Sequence, residues 1–140
     1  MTMEIRKRTC LSAGEPIQEV LSEGLADAVT TVSPVRVPMD LKMPYVIYGV
    51  SGETDKNDKQ RNAIDACEVS LDIYAESYGE CVDISEVARD LLSRMRITHT
   101  FGDGSVLVAD CSRMTAFDDS MTDDGFYHRG MSFTVKAAPS

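Results

Sequence analysis

Residues 67–76 carry the pattern that most constrains the fold, because apolar and polar side chains alternate there without a break. Successive side chains of a β-strand point to opposite faces of its sheet, so this pattern predicts a strand with one buried face. The other face must meet water or a partner. The apolar positions are Cys67, Val69, Leu71, Ile73 and Ala75, and the alternate positions are Glu68, Ser70, Asp72, Tyr74 and Glu76.

Two further segments repeat apolar residues at the spacing of one helix face. The first covers residues 16–28 and begins at a proline, which the first turn of a helix tolerates. The second follows Tyr78 and Gly79, and we predict that it begins near Glu80 or at a capping box formed by Asp83 and Glu86. Together with the alternating strand, these helices predict one shared core. That core is expected to contain Ile17, Leu21, Leu25, Val69, Leu71, Ile73, Val87, Leu91 and Met95.

Strand propensity also rises in residues 45–50, 105–116 and 126–137. Residues 30–37 are interrupted by Pro34, with Pro38 just beyond, which favours an edge strand or an extended crossing. Gly130, within the last of these strands, predicts a bulge or a close approach of two backbones. The polar residues 51–63 are interpreted as a long hairpin loop, with the mobility typical of such a loop.

The element order is therefore α-β-β-β-α-β-β, which predicts an α+β fold. We expect a mainly antiparallel or mixed sheet of about five strands with two helices packed on it. A chain of 140 residues fits one domain, assigned to residues 15–140. Residues 1–14 are interpreted as an N-terminal arm or a short strand.

Charge and cysteine spacing limit the classes of function that fit this sequence. The net charge of −9 disfavours binding to phosphate backbones, although an acidic wall could line a channel for DNA. The four cysteines are widely and irregularly spaced, which argues against a zinc site and favours buried, reduced thiols in a cytoplasm. The sequence contains no apolar run long enough to span a membrane. The basic residues Arg6, Lys7 and Arg8 are interpreted as a solvated arm or as a segment that pairs with an acidic neighbour in an assembly.

The search for catalytic chemistry yields only weak candidates. Cys111 could face His128 if their strands pair, but a hydrogen-bonded or exposed histidine is the simpler interpretation. Gly102 to Gly104 form a turn pattern and not a phosphate loop. The acidic cluster near the C-terminus lacks the spacing of an EF-hand and is interpreted as a solvated turn. Its members are Asp118, Asp119, Asp123 and Asp124. We therefore predict no enzyme activity, no cofactor and no metal.

Several short runs resemble phage and prophage tail-completion proteins, a family similar to the tail terminator of phage lambda. The run MPYVIY at residues 43–48 precedes the polar loop, and VSLDIYAESY at residues 69–78 leads directly into the second helix. The resemblance covers residues 15–137 and rests mainly on Asp72, Ile73, Tyr74 and Tyr78 coupled to the earlier proline–tyrosine strand.

The resemblance implies a structural virion protein that assembles as a ring, hexameric in the lambda-like case. The ring would cap the tail tube, meet the head connector and let DNA pass without specific binding. Assembly would occur in the host bacterial cytoplasm. The predicted contact residues lie in the polar loop and on the polar face of the alternating strand. They are Glu53, Asp55, Lys56, Asp58, Lys59, Arg61, Asp72 and Tyr74.

Three other functions remain open from the sequence. A head–tail joining protein shares the size and ring assembly of a tail terminator. An acidic inhibitor or immunity-type protein would mask a basic partner as a one-to-one complex. A small enzyme using Cys111 or His128 would hold those side chains together in a pocket.

Overall fold

The computed structural model describes residues 10–34, 42–52, 66–93, 95–122 and 125–139. Within these ranges a short 3-10 helix, Cys10–Ser12, precedes two α-helices and six β-strands. The helices are α1 (Gly14–Gly24) and α2 (Tyr78–Ser93). The strands are β1 (Thr31–Pro34), β2 (Tyr45–Ser51), β3 (Ala66–Ala75), β4 (Arg96–Thr100), β5 (Val106–Met121) and β6 (Tyr127–Pro139).

All six strands form one mixed sheet in the order β1-β2-β3-β6-β5-β4. Strand β1 runs parallel to β2, and every other neighbouring pair is antiparallel. The alternating strand predicted from residues 67–76 is β3, at an interior position of the sheet, with its apolar residues buried. The structure confirms the α+β class and the two helices, and it adds one strand to the predicted five.

The added strand is β4, which the sequence analysis missed. Its five residues follow α2 after only two intervening residues, so no turn signal separates helix from strand. Strand β4 pairs antiparallel with β5, and His99, predicted just after the second helix, lies within it opposite Leu107. The prediction that residues 30–37 form an edge strand agrees with β1, which lies at the other end of the sheet.

Both helix starts differ from the predictions. Helix α1 begins at Gly14 and ends at Gly24, although Leu25 continues the last turn by donating its N–H to the Leu21 carbonyl at 2.9 Å. Helix α2 begins at Tyr78. The Glu80 N–H donates to the Ser77 Oγ at 3.2 Å, so Ser77 caps this helix. The predicted capping box was wrong because Asp83 lies one turn inside the helix.

One core forms between the two helices and one face of the sheet. Seven of the nine predicted core residues are buried in it, and Leu91 packs against it partly buried. The prediction for Val87 was wrong, because its side chain is 39% exposed. The buried stripe of α2 runs through Cys81, Ile84, Ser85, Ala88 and Leu92, which leaves Val87 at the margin of the helix face.

Helix α1 bridges the two ends of the sheet. The Gln18 Nε2 donates to the Val32 carbonyl on β1 at 3.3 Å, while His99 on β4 contacts Glu19 at 2.8 Å and Glu15 at 3.2 Å. In a flat sheet β1 and β4 would lie about 24 Å apart, whereas a helix with its side chains is only about 10–12 Å wide. The sheet must therefore curve around the helices. Its other face, which we call the open face, is not covered by any helix among the described residues.

Candidate functional site

The open face of the sheet, opposite the helices, carries the two predicted contact residues that the structure describes. Asp72 and Tyr74 lie there on β3, both partly buried. The Tyr74 ring stacks on Tyr45 of β2, with centroids 5.0 Å apart, and meets the His128 ring of β6 at 4.7 Å. These three rings form an aromatic row across three strands, because Tyr74 is paired with both Tyr45 and His128 in the sheet register.

His128 is the centre of a hydrogen-bond chain on this face. Its Nε2 lies 2.7 Å from Asp72 Oδ1, and its Nδ1 lies 2.7 Å from Ser120 Oγ. A neutral imidazole satisfies both contacts when Nε2–H donates to Asp72 and Nδ1 accepts from the Ser120 hydroxyl. The chain links side chains of β3, β6 and β5 on a face that no described helix covers.

Gly130 leaves a depression beside this chain. A Cβ at Gly130 would lie 2.8 Å from Asp118 Oδ1 and 3.7 Å from Asp72 Oδ1. The depression has a volume of about 370 Å³, and Ser70 and Ser132 also line it. The predicted close approach of two backbones was wrong at Gly130, because the atoms nearest to its missing Cβ belong to side chains. The predicted bulge is not at this residue, because the register shifts of the β5–β6 pair lie nearer Cys111 and Met114.

Arg129, the next residue along β6, points to the opposite face and ties the sheet to α2. Its guanidinium makes a bidentate pair with Asp119, at 2.6 Å from Nε to Oδ1 and 3.0 Å from Nη2 to Oδ2. It also donates to Ser85 Oγ at 2.9 Å and to the Tyr78 hydroxyl at 3.1 Å. The hydrogen bond from Arg129 lowers the pKa of Asp119 below its usual value, and the same bond raises the pKa of Arg129.

The predicted acidic cluster does not converge in the part of the chain that the structure describes. Asp118 lies over Gly130 on the open face, whereas Asp119 points to the other face and pairs with Arg129. Asp123 and Asp124 lie outside the described residues. Among the residues described, no group of three or more His, Cys, Asp or Glu side chains could hold a metal ion.

The predicted loop contacts also lie outside the described residues, which resume at Ala66 after Gly52. This applies to Glu53, Asp55, Lys56, Asp58, Lys59 and Arg61. Their part in an interface stays a prediction. Residues 1–9 of the predicted N-terminal arm are likewise not described, and Cys10–Ser12 form the 3-10 helix.

Cys111 and His128 do not form the dyad considered from the sequence. Cys111 is buried in the core opposite Val135, while His128 lies on the open face opposite Ser120. Seven residues of β6 separate the two pairing positions, which corresponds to about 23 Å along a strand. Cys67, Cys81 and Cys111 are buried thiols that form no disulfide with one another, and burial raises the pKa of the Cys81 thiol.

Neither Ser120 nor Arg129 was predicted to be a member of a polar network. The pairing of Ser120 with His128 depends on the register between β5 and β6, which two irregularities shift. The alternation along β6 indicated only that His128 and Arg129 point to opposite faces. Nothing in the sequence indicated which residues each would meet.

Residues 17–136 match the family model described as "Tail completion protein gp17". The solved structure entitled "Structure of bacteriophage SPP1 gp17 protein" is similar, with a TM-score of 0.47 and 13% identity over 89% of this chain and 90% of that chain. No curated protein sequence matches this one. In the described part of the chain, no helix is long and apolar enough to cross a membrane.

Proposed function

We propose, from the premise that this chain belongs to the tail completion protein gp17 family, that it assembles as a ring on the end of the phage tail tube. The family match over residues 17–136 carries the proposal, and it identifies a structural protein of the phage tail or neck. We further propose that the ring caps the tube, stops its growth and offers a surface to the head connector. A hexamer is the proposed stoichiometry.

The open face supports this proposal as a contact surface. Aromatic side chains are enriched in protein interfaces, and Tyr45 and Tyr74 present a stacked pair on this face. The His128 hydrogen-bond chain holds the neighbouring side chains in place before any partner arrives. A preordered surface loses less conformational entropy on binding, which favours assembly. We therefore assign Asp72 and Tyr74 to the contact with the tail tube protein or a neighbouring copy.

The charge of the chain supports passage of DNA through the ring. A net charge of −9 repels phosphate groups, so a lumen lined by this protein would not retain DNA. In the proposal, DNA passes without specific contacts. The polar loop of residues 51–63 would supply a further contact with the tube, and assembly would take place in the host bacterial cytoplasm before the protein enters the virion.

The proposed role is non-enzymatic, and the Ser120–His128–Asp72 chain is assigned a structural part in it. Its atoms follow the order of a hydrolytic triad, but hydrolysis also needs donors aimed at the oxyanion that forms. On this assignment Ser120→Ala should weaken assembly less than Asp72→Ala, because Ser120 contributes one hydrogen bond to His128 whereas Asp72 is also assigned to the contact itself. An effect of Ser120→Ala larger than that of Asp72→Ala would contradict the assignment.

Negative-stain electron microscopy of the purified protein, alone and mixed with tail tubes, tests the function directly. Rings, or caps seated on tube ends, are the expected result. The variant Tyr74→Ala should lose capping, while Thr98→Ala, on the open face of β4, serves as the matched control. Binding to head connectors without capping of tubes would instead indicate a head–tail joining protein. A one-to-one complex with a basic partner would indicate an inhibitor.

A further inference from the structure

The outer edge of β5 is only partly covered by another strand. Strand β4 pairs with residues 106–110 of β5, and the Cys111 N–H then donates to the Met95 carbonyl at 3.1 Å. Strand β5 continues for ten residues more, to Met121, paired with β6 on its inner edge. No strand among the described residues pairs with the outer edge of residues 112–121.

Residues 115–121 of this uncovered part are exposed on both faces of the sheet. Every residue from 115 to 121 is exposed, including two large apolar side chains, Phe117 at 58% and Met121 at 61%. These two side chains and Asp119 point to the helix side, while Asp118 and Ser120 point to the open face. An added strand would therefore lie beside Phe117, Asp119 and Met121 on the helix side and beside Asp118 and Ser120 on the open face.

Sheet proteins usually protect such an edge, because unpaired N–H and C=O groups invite pairing with another chain. Strand β1, at the far end of the same sheet, shows that protection: it has four residues, ends at Pro34 and is bonded by Gln18 of α1. The uncovered part of β5 is longer and contains no proline. The edge is therefore suited to accept a strand.

We propose that residues 5–8 of a second copy of this chain pair antiparallel with residues 118–121 of β5. In this register Ile5 lies opposite Met121, and Arg8 lies opposite Asp118. Lys7 lies opposite Asp119, whose carboxylate it would share with Arg129. Arg6, Lys7 and Arg8 form the longest basic run in a chain of net charge −9, so charge complementarity selects this segment from the whole sequence. Addition of an extended segment to a sheet edge is a general mode of recognition.

The donor lies in residues 1–9, which precede the 3-10 helix Cys10–Ser12 and are outside the described residues. Nine extended residues span about 30 Å, enough to reach a neighbouring molecule. The inference rests on the proposed self-assembly and adds to it the pair of surfaces that joins one copy to the next. Each copy donates one arm and accepts one arm, which is the head-to-tail contact that a ring needs.

Cross-linking of the full chain with a carbodiimide tests this contact, because the reagent joins a lysine amine only to a carboxylate in direct contact. Isotopically light and heavy protein are mixed, cross-linked and analysed by mass spectrometry. The expected product joins Lys7 of a light peptide to Asp119 of a heavy peptide, and the reverse. The variant Asp118→Arg should lower the yield at low salt by about fivefold, because an attraction is replaced by a repulsion.

Two controls separate this contact from general charge effects. Arg8→Asp combined with Asp118→Arg should restore the yield, and Asp110→Arg, in the part of β5 that β4 covers, should leave it unchanged. Lys7 products confined to a single isotope, or the absence of Lys7 products on β5, would overturn the inference. If rings form without this product, only the inference fails. If the product forms but neither rings nor capped tubes appear, the proposed function fails and the contact stands.

Discussion

His128 and Arg129 are neighbours on β6, yet they organise opposite faces of the sheet. Arg129 lies on the helix side, where its hydrogen bonds to Asp119, Ser85 and Tyr78 join β5 and β6 to α2. His128 lies on the open face, where it makes hydrogen bonds with Asp72 and Ser120. No other element covers these side chains among the described residues. The helix side holds the fold together, and the open side presents an ordered surface.

This difference implies that substitutions on one face should change mainly the stability of the fold, and that substitutions on the other should change mainly its assembly. Changes on the helix side should lower the free energy of unfolding. Changes on the open face should leave that free energy nearly unchanged and act on contacts between proteins.

Phe133→Ala should destabilise the protein most, by about 3–5 kcal/mol, because it empties a fully buried position between β3 and β5. Ser132→Ala, on the open face of the same strand, is the matched control and should change stability by less than about 0.5 kcal/mol. Urea unfolding followed by circular dichroism measures both. Similar losses in the two variants would contradict the assignment of the faces.

Gly24→Ala should cost about 1–3 kcal/mol by overpacking the contact between the helices. A Cβ at Gly24 would lie 2.3 Å from Leu91 Cδ1 and 2.9 Å from Leu91 Cγ, so Leu91 must move. The double variant Gly24→Ala with Leu91→Ala should lose less stability than the sum of the two single changes. A double-mutant cycle by urea unfolding checks this, and strict additivity would show that α1 and α2 do not touch there.

Asp119→Asn should lower the free energy of unfolding at neutral pH by about 0.5–1 kcal/mol. The effect is small because the Arg129–Asp119 ion pair is partly exposed to solvent. Because the pKa of Asp119 is lowered in the folded state, its stabilisation is present above the ordinary value of 3.8 and is lost as the pH falls through the lowered pKa. Urea unfolding at about pH 6 and about pH 2 should therefore show a smaller acid loss in the variant than in the parent. An equal loss would exclude Asp119 as a contributor.

Asp72→Ala should have the smallest effect on stability, less than about 0.5 kcal/mol, because it removes one hydrogen bond from a partly exposed histidine. It should nevertheless reduce ring formation or capping, as judged by electron microscopy, because it disorders the His128 side chain. A stability loss as large as that of Phe133→Ala would show that the open face is part of the core and would remove the distinction between the faces.

Much of the fold could be predicted because its signals are local. The alternation along β3 and the helical spacing of Ile17, Leu21 and Leu25 identified the buried faces correctly. Strand β4 could not be predicted in this way, because it is short and is stabilised by pairing with β5 and not by its own pattern. Val87 was misplaced because sequence spacing does not fix the angle at which α2 meets the sheet.

The candidate site was predictable only in part. Asp72 and Tyr74 followed from the polar face of one strand, but their partners come from β2, β5 and β6. The position of His128 between Asp72 and Ser120 requires two registers at once, and each depends on pairing between distant segments. Long-range register of this kind has no signature in the residues around His128.

The bridge that α1 makes across the curved sheet also affects the order in which the protein can fold. Glu15 meets His99 from 84 residues away, so helix α1, made first on the ribosome, cannot complete its docking until β4 has been synthesised. Contacts between distant segments slow folding, and an amphipathic helix that waits for its partner exposes apolar surface. A nascent chain that ends before residue 99 should therefore hold an α1 that lacks its contacts with β4, and a chaperone bound to such a chain would cover the apolar surface that stays exposed.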